Sequence, residues 1–258
     1  MKRPSSLITL LLALIPWGIL AGGCVSKDLD RDQETEFHAY LAKGQAYMER
    51  KKPQQALLAL RQAQQIDPNH PDLLTTIALA YSQLGQSQAA LEALNQAHEI
   101  RPGDPGILHN LGVAHLQEGN LDQAQSTLLK VTATPGFNDP VSAWYNLAIV
   151  YQKKDQPEEM VHAFKTALRA DPSHLPSHRA LAVFYQKSGQ PDQERLHLEK
   201  IIALDPGNRE VLERLGRNLT ESGQQEQANA IFRQLIQLNA NHPAAQRVRG
   251  RLLEIEQP

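Results

Sequence analysis

The stretch VSAWYNLAIVYQKKDQPEEMVHAFKTALRADPSH at residues 141–174 decides the fold. Trp144, Leu147-Ala148 and Tyr151 recur at spacings of three and four, one face of a helix. Phe164 and Ala167 mark a second helix, and Pro172, which cannot continue a helical ladder, follows it. Outward from this stretch the pattern repeats with a period of 34: Pro68 and Pro102, Pro172 and Pro206; Gly85 and Gly119, Gly189 and Gly223; Tyr47 and Tyr81, Tyr151 and Tyr185. Between them, Leu108, Leu111, Ala114 and His115 form one amphipathic helix. Gly119-Asn120 breaks it, and Ala124, Leu128 and Val131 begin another.

This period and pairing resemble the tetratricopeptide repeat. Six units fit: 37–70, 71–104, 105–140, 141–174, 175–208 and 209–242. The resemblance implies an all-α solenoid of about six helix-turn-helix units, each helix A facing a helix B and large residues filling the gap to the next unit. No unit buries its apolar face alone, so stacking supplies the stability. Residues 243–258, with Val248, Leu252, Leu253 and Ile255 beside arginines, are expected to form a capping helix. Unit 6 carries Leu219 where others carry tyrosine. Unit 5 carries Glu194 where a small residue is expected, which predicts looser packing of its two helices. Unit 3 is two residues longer, with a Pro- and Gly-containing loop at 132–140. That loop reads as a tolerated insertion, exposed and dispensable for folding, or as a contact loop presenting Phe137.

Composition agrees with a helical interaction protein. Of 258 residues 41% are hydrophobic, 21% charged and only 5% aromatic, and the formal net charge of −2 leaves no basic excess to neutralise nucleic acid. The single cysteine excludes an intramolecular disulfide framework. There is no Gly-rich phosphate loop, no Gly-x-Ser-x-Gly and no His-Glu-x-x-His, so neither an enzyme, a metal centre nor a cofactor is expected. His174 and His178, four apart, read as a surface pair without a third ligand.

The N-terminus carries its own message. Lys2 and Arg3 precede an apolar run from Leu7 to Leu20, shorter than the ~20 residues a membrane span needs. Ala21-Gly22-Gly23-Cys24 follows and resembles the lipobox of bacterial lipoproteins. The resemblance implies cleavage after residue 23, acylation of Cys24, and a mature chain of 235 residues with a formal charge of −4. Val25, rather than Asp, implies sorting to the outer membrane, facing the periplasm. Residues 24–36 read as the lipidated cysteine and a flexible tether.

In the repeat family helix A lines a concave face, which places Leu79, Val113, Ile149 and Val183 in one apolar row. Asn110 and Asn146 stand beside it, with Thr75, His109, Tyr145 and Arg179 at a further position; all of these but Thr75, nine residues, are the candidate groove. The Lys/Asn clamp of chaperone-tail adaptors is missing. Apolar rows beside amides suit a protein segment, extended or helical.

The lipobox, the tether, six repeats, the long third connection and the segment Trp144-Tyr145-Asn146-Leu147 resemble the type IV pilus pilotin family of the PilF/PilW and Tgl type. That resemblance implies a secretin subunit as protein partner and a membrane anchor through lipid, with no nucleic acid and no small-molecule substrate. A general cell-envelope scaffold organising wall or polysaccharide enzymes, and a β-barrel assembly factor, are the alternatives.

Overall fold

Proline and aspartate punctuate this chain. Pro71, Pro105 and Pro140 each open a helix, where the missing N–H costs nothing. Side chains of Asp30, Asp104, Asp139 and Asn208 accept from the first free backbone N–H groups of four helices. The computed structural model describes residues 29–248. The A helices are α1 (Arg31–Glu49), α3 (Pro71–Gln83), α5 (Pro105–Glu118), α7 (Pro140–Lys153), α9 (Leu175–Lys187) and α11 (Arg209–Glu221). The B helices are α2 (Pro53–Ile66), α4 (Ser87–Ile100), α6 (Leu121–Thr132), α8 (Pro157–Ala170), α10 (Pro191–Leu204) and α12 (Gln225–Leu238). Among the described residues there is no strand, and each A helix packs on the B helix that follows it.

One position on each A helix sets that packing. Gly44, Ala78, Gly112, Ala148, Ala182 and Gly216 fall at equivalent places, opposite Leu60, Leu94, Leu128, Phe164, Leu198 and Phe232 on the B helices. A Cβ built on Gly112 would lie 2.6 Å from Leu128 Cγ, and one on Gly216 2.1 Å from Phe232 Cε1. The large partner thus rests directly on helix A backbone, and all six partners are buried.

The turn from A to B needs a left-handed residue. Gly85, Gly119, Gly189 and Gly223 supply it, with φ between 65° and 78°. In units 1 and 4 the same place holds Lys51 and Asp155, at φ 54° and 56°. A side chain there costs roughly 1 kcal/mol.

Four expectations meet corrections. Residues 31–36, read as part of a flexible tether, are helical: α1 begins at Arg31, Asp30 caps it and Gln33 completes a capping box. Phe137 is half-buried against Leu108, Val131 and Ala143, so the long connection returns its aromatic ring to the core between α5 and α7. Glu194 does not loosen unit 5. It is buried, accepts from Arg214 Nε at 2.6 Å and from Asn218 Nδ2 at 3.1 Å, and so ties α10 to α11. His178 is no surface residue but a buried one, 5% exposed. The cap holds as far as it is described: 243–248 is helical and buries Ala244, Ala245 and Val248 against Leu215, Leu219, Phe232 and Leu235. Arg247 reaches back to Glu213, its Nε 2.8 Å from the carboxylate. The remainder of the cap, 249–258, and the leader with Cys24 lie outside the described residues.

Three substitutions test this account. Lys51→Gly relieves the left-handed side chain and is expected to raise unfolding free energy by about 1 kcal/mol in urea titrations. Gly119→Ala, at the equivalent place, is expected to lower it by a similar amount. Phe137→Ser is expected to cost about 2 kcal/mol, since it empties a partly closed apolar site; a change within ~0.5 kcal/mol would return Phe137 to the status of a surface residue.

Candidate functional site

The A helices approach one another more closely than the B helices do. Contacts join α1 to α3, α3 to α5 and α5 to α7, with no comparable contacts between successive B helices. The stack therefore curves toward its A side, and that side is the concave one. All nine residues expected to line it sit on α3, α5, α7 and α9. Leu79 and Val183 are the most open of the apolar row, 41% and 40% exposed; Val113 and Ile149 are half-buried.

The row does not form one uniform groove. Asn146 Nδ2 lies 3.2 Å from His109 Nε2, and the His109 ring packs on Phe137 at 5.7 Å. Burial pulls the His109 imidazole below its ordinary value against the opposing pull of Asp139 and the Ser142 backbone. A neutral ring accepts at Nε2, so the Asn146 amide donates to it. Asn146 is therefore engaged across the α5–α7 seam rather than free for a peptide backbone, while Asn110 remains half-exposed beside it.

Beyond α7 the A helices spread. The Tyr145 ring stands between Phe164, 5.7 Å away, and His174, 5.2 Å away, at the entrance to α9. A cavity of about 570 Å³ opens between α7 and α9. Four of the nine expected residues meet there: Tyr145 and Ile149 from one wall, Arg179 and Val183 from the other. The structure adds Phe184 and Lys187 on α9, with Met160 and Gln156 of unit 4's second helix. Phe184 and Lys187 continue the α9 face at helical spacing and were legible in principle. Gln156 and Met160 were not, because they reach the concave side from the start of a B helix. Leu79, His109, Asn110, Val113 and Asn146 lie outside this cavity.

A second cavity, of about 470 Å³, lies between units 5 and 6. Its lining is charged, and both of its arginines are paired within the fold. Glu194 is bonded by Arg214, whose Nη2 also donates to Ala182 O at 2.6 Å, and Glu213 is bonded by Arg217 and Arg247. Hydrogen bonds, that of Arg247 foremost, hold the Glu213 carboxyl below its usual range.

Histidines form a separate cluster behind α9. His178 Nε2 lies 3.0 Å from Pro172 O and donates to it, so His178 Nδ1 accepts from His197 Nδ1 at 2.9 Å. His197 then carries a bare Nε2 in the core with no partner, stacked on Tyr185. Protonation would bury an unmatched N–H. Burial first, then His178 and Lys165, accordingly push His197 down to about 4. Among the described residues, no group of three His, Cys, Asp or Glu side chains could hold a metal.

Comparison with known proteins agrees with the architecture. Segments 47–97, 83–140 and 195–252 match one profile of the tetratricopeptide repeat, and 141–174 matches a second. Together these cover more than half of the chain, and the protein belongs to the tetratricopeptide-repeat family. Its structure is similar to that of PilF from Pseudomonas aeruginosa, with a TM-score of 0.70 and 19% identity over 86% of this chain and 100% of that one. PilW, a widely conserved type IV pilus biogenesis factor, gives 0.68 and 21% over 85% and 99%. MamA from Desulfovibrio magneticus gives 0.58 and 22% over 67% and 97%. No curated protein matches the chain. The fold is that of a protein-interaction scaffold.

The histidine cluster has a pH consequence. The unfolded chain, with an imidazole near 6.5, binds a proton that the folded one refuses down to about 4. Stability from this site is thus complete above pH 6.5 and is lost as pH falls through that window, by at most ~1.4 kcal/mol per unit. Urea unfolding at pH 7, 5.5 and 4.5 is expected to record the decline, and His197→Asn to flatten it.

Proposed function

We propose that this protein is a lipid-anchored pilotin, which binds a segment of an outer-membrane secretin subunit on its A-helix face and escorts it to the outer membrane. The observation that carries the reading is the extent of the likeness to PilF and PilW, which spans 100% and 99% of those chains. Six stacked repeats are thus matched end to end rather than by a single motif. The sequence around Cys24 supports the anchor: a basic start, a short apolar run and small residues before a lone thiol. Several acyl chains, each contributing ~0.8 kcal/mol per buried CH₂, would hold a water-exposed body at the bilayer. The α7–α9 cavity supports the binding role, since accessible apolar side chains lining a concavity are a usual place for a partner.

The test is made in the source cells with two variants. Val183→Asp puts a carboxylate on an exposed site, where the fold tolerates it, and is expected to leave the protein at normal level while secretin multimers fall at least tenfold. Cys24→Ser is expected to accumulate as unprocessed precursor outside the outer-membrane fraction. Wild-type multimer levels in both strains would remove the pilotin reading and favour a general envelope scaffold.

A further inference from the structure

The α7–α9 cavity has a chemistry more specific than an apolar groove. Its apolar lining includes Tyr145, Ile149 and Val183, with Met160 and Phe184. On the same α9 face Arg179 lies one turn before Val183, exposed and without an ion-pair or hydrogen-bond partner among the described residues. Two arginines of the neighbouring unit, by contrast, are engaged: Arg214 by Glu194 and Arg217 by Glu213. Lys187 and Asp155 line the opposite end and offset each other in formal charge, so the unbalanced cation is Arg179. A second unmet group lies across the cavity. Gln156 Oε1 is buried with no donor.

We propose that this cavity reads an extended segment of a partner protein with the pattern acid–x–apolar, the carboxylate on Arg179 and the apolar side chain between Ile149 and Val183. Two dimensions agree. Residues four apart on a helix are separated by ~6 Å along its axis. Residues two apart on an extended strand are separated by ~6.6 Å and project to one face. A strand lying along α9 therefore places its carboxylate and its anchor in step with Arg179 and Val183. The guanidinium fork suits a carboxylate in two-bond geometry. This inference rests on the reading of the concave face as the partner surface and names what that surface selects.

The experiment uses the full chain in detergent and three labelled nine-residue probes that differ at one or two positions. Their centres are Glu-Ser-Leu, Gln-Ser-Leu and Glu-Ser-Ser, with Gly and Ser elsewhere. Binding is followed by fluorescence anisotropy at 20 and 300 mM salt. The first probe is expected to bind at least tenfold tighter than either of the others at low salt, with the preference over the amide probe shrinking at high salt as screening grows. Arg179→Gln is expected to erase that preference while weak binding through leucine persists, and Arg179→Lys to restore part of it. Equal binding of the Glu and Gln probes, or a preference that survives Arg179→Gln, overturns the proposal. Failure here is separable from failure of the pilotin role. If Val183→Asp abolishes secretin multimers while the probes show no acid preference, the role stands and the pattern falls. If the probes behave as expected and multimers are indifferent to Val183→Asp, the pattern stands and the partner is not the secretin.

Discussion

The structure depends on one close approach repeated six times. Helix A offers a residue with little or no side chain, and helix B lays a leucine or phenylalanine across it. Gly112 under Leu128 and Gly216 under Phe232 leave no room for even a methyl group without displacement. That contact fixes the angle and separation of each hairpin. Everything else follows from hairpins so fixed: the left-handed turn between the helices, the burial of alanines such as Ala56, Ala90 and Ala124 on the B side, and the curvature toward the A side. Since each contact is internal to one unit, the interfaces between units are free to vary. They do so, from the continuous apolar core through units 1 to 3 to the ion-paired seam between units 5 and 6.

Most of the architecture was legible because periodicity is a property of sequence. Pro, Gly and Tyr at a spacing of 34 give unit boundaries without knowledge of contacts. What escaped was chemistry that depends on a neighbour on another helix. Glu194 violates the small-residue rule of its own unit, and only Arg214 and Asn218 of the next unit make it stable. His178 stands four residues from His174, which invites a surface reading, yet its partner is His197 on the following helix. Phe137 sits between prolines and glycine in a loop, and its apolar seat is assembled from three separate helices. The start of α1 was missed for a different reason: polar composition around 31–36 resembles a linker, while the capping box at Asp30 and Gln33 is enough to begin a helix there. Lys51 and Asp155 were open to the same arithmetic that found the glycines, one period away from Gly85 and two residues more than a period from Gly119.

The candidate site divides along the same line. Placement of nine residues on the A helices followed from repeat position alone. Their grouping did not, because it depends on where the A helices stay together and where they spread. Between α5 and α7 the face is closed by Asn146, His109 and Phe137. Between α7 and α9 it opens, and there an unpaired cation and a buried acceptor lie beside apolar side chains. The electrostatic distinction between the two cavities follows from pairing rather than from charge count. The cavity with more charged residues has already satisfied Arg214, Arg217, Glu194 and Glu213 within the fold.

The Glu194–Arg214 pair also gives the stack an address. Interchangeable repeats carry a hazard, since any hairpin can in principle seat on any other, within one chain or between two. Arg214 restricts that freedom for the last unit. Places equivalent to Glu194 in the other hairpins hold Ala56, Ala90, Ala124, Met160 and Ala228. Seated on any of these, unit 6 would leave the partly buried Arg214 guanidinium with no carboxylate opposite. The seam between units 3 and 4 is keyed more weakly, by Lys154 on the solvent-exposed Asp122, and the apolar seams before it carry no such pair. The order of assembly is thus written in charge at the one junction where a misplaced terminal hairpin would leave the solenoid unfinished.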